Sequence, residues 1–143
     1  MTGARRARRA GAAGRVPPAP FAVLRPPAGQ RMTMNDAYAA DEPARADVDQ
    51  LAGPAVIEFG SPWCGHSRAV QPLLAAAFAD HPHVAHLKIA DGSGRPLGRS
   101  FKVKLWPTLV FLRDGREVAR LVRPGDAGAI RAALAQIDAA DGP

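Results

Sequence analysis

Residues 59–67 read Phe-Gly-Ser-Pro-Trp-Cys-Gly-His-Ser and place a thiol where the chain leaves an apolar run and enters a helical pattern. The preceding residues 55–59 are apolar except for Glu58 and predict a buried strand. From the thiol to about Ala79, apolar residues recur at helical spacing. Unpaired backbone N–H groups and the helix dipole at a helix N-terminus favour thiolate over thiol, which lowers a cysteine pKa from about 8.5 into a range of roughly 3.5 to 7.5. Cys64 is therefore predicted to be a nucleophile rather than a small core residue.

The rest of the pattern predicts an α/β domain. It predicts a helix over 42–51 with Pro43 at its first position, a strand over 83–90 and a short helix before Val103. Two further strands, 108–112 and 117–122, are joined by a turn at 113–115. A last helix is capped by Asp126, and its apolar face carries Ile130, Ala133, Leu134 and Ile137. Pro72 is expected to bend or locally break the helix after Cys64. Strands that alternate with helices and then form a hairpin predict a mixed sheet with helices on both faces.

The basic charge is concentrated at one end of the chain. The formal charge is +6 over 143 residues, yet residues 1–33 carry seven arginines and no acid, which leaves 12 basic residues against 13 acidic ones in residues 34–143. Residues 1–33 are rich in Arg, Pro and Ala and are predicted to be disordered, either as a basic arm that contacts nucleic acid or a membrane surface, or as an extension upstream of a start at Met34. The folded domain is assigned to residues 34–143 and is expected to bind neither nucleic acid nor a membrane.

The cellular location is inferred from the apolar runs and from the cysteine count. The longest apolar run of the extension is too short for a signal peptide, and a membrane span is not expected elsewhere. Cys64 is the one cysteine of the chain, so no internal disulfide is available, which fits a reducing compartment. The protein is therefore predicted to be cytoplasmic.

Several of these motifs, in this order, resemble the thioredoxin superfamily. Trp63-Cys-Gly-His is similar to that family's Trp-Cys-Gly-x-Cys, with His66 in the variable place as in protein disulfide isomerase. Pro72 matches the family's helix-kinking proline, Trp106-Pro-Thr its cis-proline loop, and 111–115 its hairpin turn. The resemblance covers residues 55–137 and implies a thioredoxin fold, a central mixed β-sheet flanked by helices.

The resemblance also implies where substrate is held. Pro107 is implied to be cis and to pack beside the thiol, and its neighbouring backbone groups are expected to be free to pair with an extended substrate. The residues implied to contact substrate are Trp63, Gly65, His66, Trp106, Pro107 and Thr108.

Ser67 stands where the family has its resolving cysteine. A hydroxyl cannot form a disulfide, so the mixed disulfide on Cys64 must be resolved by an outside thiol such as glutathione. Cys-Gly-His-Ser is also similar to the Cys-Gly-x-Ser site of monothiol glutaredoxins, which favours glutathione as a co-substrate, and no bound cofactor is expected. Ser67 is expected either to hydrogen-bond the thiolate, or only to fill space, or to result from an engineered change that traps substrates.

Two other titratable groups have open roles. Glu58 is at the place of a buried aspartate in thioredoxins, where the carboxylate is implied to move protons for the thiols; otherwise it is a strand-edge residue that reaches water. His66 either favours the thiolate when protonated or is simply solvated. Three further histidines, His81, His83 and His86, are given no metal-ligand role, because nothing near them in sequence supplies thiolates or carboxylates.

Two functions therefore remain open at the level of sequence. In the first, the protein is a thiol–disulfide oxidoreductase whose Cys64 attacks protein disulfides or oxidised protein thiols, with Ser67 and Glu58 assisting and an external thiol completing turnover. In the second, it is a redox-inactive thioredoxin-fold module or chaperone that binds extended peptides, and a substrate-trapping variant would behave in the same way.

Overall fold

A computed structural model describes residues 34, 35 and 37–138, so the prediction for residues 1–33 lies outside the described residues. Its helices are α1 (Arg45–Asp49), α2 (Gly65–Ala69), α3 (Gln71–Phe78), α4 (Pro96–Ser100) and α5 (Ala127–Asp138), and its strands are β1 (Pro54–Gly60), β2 (Ala85–Ala90), β3 (Thr108–Arg113) and β4 (Arg116–Val122). Among the described residues, every helix is too short or too polar to cross a bilayer.

The strands form one mixed sheet, as predicted, and their order in the sheet is β2-β1-β3-β4. β1 runs parallel to β2 and antiparallel to β3, so β1 is an interior strand, and β3 and β4 form the predicted hairpin. The hairpin turn has Asp114 and Gly115 at φ 52° and 80°, the two positive values that a two-residue turn of this kind requires. A Cβ at Gly115 would also lie 2.0 Å from the carbonyl oxygen of Asp49, so only glycine fits there.

Alternate residues of β1 point to opposite faces of the sheet and join two separate cores. One core contains Ile57 and Phe59 together with side chains of α1 and α4. The other contains Val56 together with side chains of α3 and α5. Helices therefore cover both faces, and the predicted apolar face of the last helix is buried in the second core.

One helix differs in length from the sequence prediction, and another is interrupted where a break was predicted. The predicted helix 42–51 is confined to Arg45–Asp49, because Ala44 is extended at ψ 151° and the Glu42 carboxylate accepts the backbone N–H of Leu97 instead of capping a helix. The helix that follows the thiol is interrupted at Val70, between α2 and α3, because Pro72 has no N–H to donate to the preceding turn. This interruption confirms the predicted local break.

Candidate active site around Cys64

Cys64 is the N-cap residue of α2, at the carboxyl end of the interior strand β1. Its thiol is partly exposed. The pKa of Cys64 is lowered below its usual value, first by a hydrogen bond from the backbone N–H of Ser67. Smaller contributions come from the Ser67 hydroxyl, the backbone N–H of His66 and the positive charge of Arg123. The backbone of the first helical turn is thus aimed at the sulfur. This is the environment that converts a cysteine into a nucleophile.

Ser67 is buried beneath the thiol, with only 1% of its surface exposed. Its hydroxyl oxygen accepts the backbone N–H of Ser61 at 3.3 Å. A Cβ at Gly60 would lie 2.6 Å from that oxygen, so the side chain packs directly on the glycine backbone. Ser67 therefore has a fixed position and is directed into the protein, while its hydrogen bond to Cys64 supports the thiolate.

Tyr38 is a neighbour of this site that the sequence reasoning missed. Burial, followed by the negative charge of Glu58, raises the pKa of Tyr38 to about 12, while the hydrogen bond between the phenol and the Ser67 hydroxyl acts in the opposite direction. Its phenol oxygen would lie 3.0 Å from a Cβ at Gly60. The phenol therefore stays protonated beside Ser67 at physiological pH. No motif marks this residue, although it is the one tyrosine of the chain.

Glu58 is fully buried, so the alternative of an edge glutamate that reaches water is wrong. Its carboxylate accepts Gln71 Nε2 at 2.6 Å and lies 2.9 Å from Nε2 of the buried His86. Since His86 Nδ1 accepts the backbone N–H of Asn35 at 2.8 Å, Nε2 must carry the ring proton and donate it to Glu58.

Gln71 links this buried carboxylate to the helix that carries the thiol. The same Gln71 Nε2 also donates to the carbonyl of Ser67 at 2.9 Å, and Lys88 Nζ donates to Gln71 Oε1 at 3.0 Å. A single side chain thus connects Glu58 with the first turn of α2. The proton-transfer role of Glu58 stays a prediction.

The Trp106–Pro107 peptide bond is cis, as the family resemblance implies, and Pro107 is buried. The backbone groups next to Pro107 were expected to be free, and for the carbonyls of Trp106 and Pro107 this expectation was wrong. Trp106 O accepts Arg123 Nε at 2.8 Å, and Pro107 O accepts the backbone N–H of Arg123 at 3.0 Å. The cause is strand register: Thr108 pairs with Val122, the last residue of β4, so Arg123, which follows the strand, faces the proline.

The other predicted contact residues differ in what they present to a substrate. Trp63 is 87% exposed, and Gly65 and His66 are also exposed, so these three lie at the surface around the thiol. The Trp106 indole is fixed in place, because its N–H donates to the carboxylate of Asp91 at 2.9 Å. The Thr108 side chain is 1% exposed and donates to the carbonyl of Leu105 at 2.7 Å, so its hydroxyl supports the loop.

Of the three histidines that were given no metal-ligand role, His81 and His86 have structural partners. His81 Nδ1 lies 2.7 Å from the carboxylate of Asp138 at the end of α5, and His86 belongs to the Glu58 pair. Within the described ranges, no group of three or more His, Cys, Asp and Glu side chains is arranged to hold a metal ion.

Comparison with known proteins identifies the class of protein that this site belongs to. Residues 37–136 match the thioredoxin family, and the chain belongs to that family. The fold is the thioredoxin fold, a mixed four-stranded sheet flanked by helices.

Individual relatives are similar to this chain over different lengths. The structure of thioredoxin 2 from Pseudomonas aeruginosa PAO1 in its reduced form superposes with a TM-score of 0.66 at 60% identity, over 73% of this chain and 96% of that one. Thioredoxin H-type 1 of Nicotiana tabacum is 37% identical over 67 residues, which are 47% of this chain and 53% of the tobacco protein. A thioredoxin of Chlamydia trachomatis is 40% identical over 77 residues, 52% of this chain and 74% of that protein. The chain thus spans only about half the length of the tobacco relative.

Proposed function

We propose that this protein is a thiol–disulfide oxidoreductase that works through the single thiol of Cys64. The Cys64 thiolate attacks the glutathione sulfur of a glutathionylated protein; the old S–S bond breaks, and the protein sulfur leaves as a thiolate that takes a proton from water. Glutathione then attacks the Cys64–glutathione disulfide, which regenerates the Cys64 thiolate and yields oxidised glutathione. A protein disulfide is reduced in the same way, with a mixed disulfide on Cys64 as the intermediate and two molecules of external thiol consumed.

The observation that carries this proposal is the lowered pKa of Cys64 above a buried Ser67. The lowered pKa, caused first by the Ser67 backbone N–H, supports a thiol that is ready to attack. The Ser67 hydroxyl occupies the place from which a second thiol would attack, and it cannot form a disulfide. An external thiol is therefore the way to complete turnover. A reducing compartment such as the cytoplasm, with glutathione as the abundant thiol, is the setting that we propose.

Two measurements test the proposal. Iodoacetamide alkylation against pH should give a midpoint below the value of about 8.5 for a free thiol, and Ser67→Ala should raise this midpoint only in part, because its backbone N–H remains. A midpoint at or above about 8.5 in the unaltered protein would contradict an activated Cys64. Reduction of a glutathionylated peptide, coupled to glutathione reductase and NADPH, should depend on Cys64 and be lost in Cys64→Ser.

The second candidate is a binding module without turnover, and the exposure of Trp63 favours it. An 87% exposed indole directly before Cys64 in the chain is a surface on which an extended peptide can pack. If the module is redox-inactive, Cys64→Ser should bind a reduced peptide as tightly as the unaltered protein, and the coupled glutathione assay should show no turnover. Turnover that depends on Cys64 would exclude this second candidate.

A further inference from the structure

Arg123 is fixed in place beside the Pro107 loop. It directly follows β4, and its backbone adopts a positive φ of 50°, a strained value for a residue with a side chain. Its Nε and its backbone N–H are held by the carbonyls of Trp106 and Pro107. These two hydrogen bonds fix where the guanidinium lies on the surface.

The charge of Arg123 is not neutralised by its surroundings. Its side chain is exposed, and none of the carboxylates in residues 37–138 lies within ion-pair distance of it. Nε is used on Trp106, and neither Nη group forms a hydrogen bond with the described part of the chain. A guanidinium held by one edge presents its remaining donors as a fork that fits a carboxylate.

A cavity of about 340 Å³ opens next to this guanidinium. It lies between α2–α3 and the segment after β4, and its lining residues are His66, Ala69, Val70, Leu73, Arg123, Pro124 and Gly125. The wall is mostly apolar, and its two ionisable groups, His66 and Arg123, are both basic. The helix that lines the cavity is the one that Cys64 caps, and the charge of Arg123 acts on that thiol.

We propose that this cavity is an anion subsite, in which Arg123 binds the carboxylate of an Asp or Glu side chain next to the reacting half-cystine of a substrate polypeptide. The proposal rests on the function proposed above and adds a preference for acidic substrates. Apolar walls accept the methylene groups of such a side chain, while the guanidinium pairs with its charge. Because the cavity adjoins the Pro107 loop, where an extended chain is expected to lie, the carboxylate belongs to the polypeptide.

Activated peptides with different charges test this subsite. Peptides of one sequence carry Glu, Gln or Lys beside a cysteine that is activated as a 2-pyridyl disulfide, with the variable residue placed before it in one set and after it in another. The Cys64 thiolate attacks the peptide sulfur, the bond to the pyridyl sulfur breaks, and pyridine-2-thione leaves after taking a proton from water; its absorbance gives the rate constant. At low salt, one of the two sets should show a Glu-to-Lys rate ratio of about threefold to tenfold, and about 0.5 M salt should reduce this ratio.

Variants separate the subsite from general effects on the thiol. Arg123→Asn, in which asparagine tolerates the positive φ, should bring the ratio to about one, whereas Arg123→Lys should keep part of it. Arg116→Gln changes net charge by the same amount at the far end of β4 and should keep the unaltered ratio. A change in the pKa of Cys64 changes the rate constants of all peptides by the same factor, so it cancels in the Glu-to-Lys ratio.

Each outcome decides for or against the subsite. The subsite is wrong if the Glu-to-Lys rate ratio is the same in the unaltered protein and in Arg123→Asn, or if Arg116→Gln lowers this ratio as much as Arg123→Asn does. Neither result would contradict thiol exchange at Cys64. If Arg123→Asn slows only pyridyl-activated glutathione relative to its diester, the carboxylate belongs to glutathione and the polypeptide subsite is wrong. If no peptide reacts faster with the protein than with Cys64→Ser, the proposed oxidoreductase function fails as well.

Discussion

Replacing Ser67 with cysteine would return a second thiol to the first turn of α2, and the structure sets the cost of that change. Ser67 is 1% exposed, and its oxygen is so close to Gly60 that a Cβ there would lie 2.6 Å away. The longer C–S bond pushes sulfur toward this backbone, an overpacking that costs about 1–3 kcal/mol. The backbone N–H of Ser61 also loses its oxygen acceptor. We therefore expect reduced S67C to be less stable than the unaltered protein by about 1–3 kcal/mol.

Oxidation should recover most of this loss. A disulfide that closes the short loop between residues 64 and 67 contributes about 2 kcal/mol through chain entropy. At about 4–8 °C per kcal/mol for a domain of this size, oxidised S67C should melt up to about 16 °C above its reduced form. Calorimetry of both forms, with the unaltered protein as reference, measures this difference.

The functional result is read in a single turnover with insulin. The reduced unaltered protein should become trapped as a mixed disulfide with an insulin chain, visible as an adduct by mass spectrometry. Reduced S67C should instead release the chain and carry an internal disulfide, because the second sulfur displaces the substrate. The matched control is C64S/S67C, whose remaining thiol is buried and should form little adduct. If S67C forms the internal bridge and yet reduces no insulin, the reasoning is refuted, because the surface around Cys64 then fails to present substrate, and the binding module becomes the better description.

Three further predictions follow from single features of the chain. Tyr38 is the one tyrosine of the chain, so the absorbance of tyrosinate during an alkaline titration reports this residue alone. The midpoint should lie near 12 in the folded protein and near 10 after unfolding in urea. A midpoint near 10 in the folded protein would place the phenol in water. His86→Phe keeps a buried ring next to Phe78 but removes the two hydrogen bonds of the imidazole, to Glu58 and to the backbone N–H of Asn35. Urea unfolding should therefore show a loss of about 2–4 kcal/mol in the free energy of unfolding, and a loss below about 1 kcal/mol would contradict this buried pair. Deletion of residues 1–33 should leave the melting temperature and the alkylation rate of Cys64 unchanged, since residues 34–138 contain every described element; a loss of several degrees would show that the extension packs on the domain.

Local sequence signals predicted the elements that carry the thiol. The apolar run 55–59 is a strand because its side chains are buried on both faces of an interior strand, and Asp126 begins the last helix by accepting the backbone N–H of Ala129 at 2.9 Å. Pro72 interrupts the helix for a reason that lies in its own chemistry. In these cases the cause lies within a few residues of its effect.

Features that join distant segments could not be read in this way. The sequence did not decide whether the Glu58 side chain is buried or reaches water. The strand order places β1 between β2 and β3, and Glu58 is therefore buried. The tautomer in which His86 donates to Glu58 is fixed by a hydrogen bond from the backbone N–H of Asn35, 51 positions away. The backbone groups beside Pro107 were expected to be free, but the carbonyls of Trp106 and Pro107 are bonded, because the register of β3 with β4 sets Arg123 against them.

The sequence by itself determined a thioredoxin-like order of strands and helices, a single thiol at a helix start, and a serine in place of a second thiol, since each depends on residue identity and short spacing. Only the tertiary structure decided what surrounds that thiol: the buried carboxylate linked through Gln71, the phenol of Tyr38 beside Ser67, and the guanidinium of Arg123 next to a cavity. The physical reason is that strand register and sheet order bring these groups together, and both are set by packing over the whole domain rather than by any local run of residues.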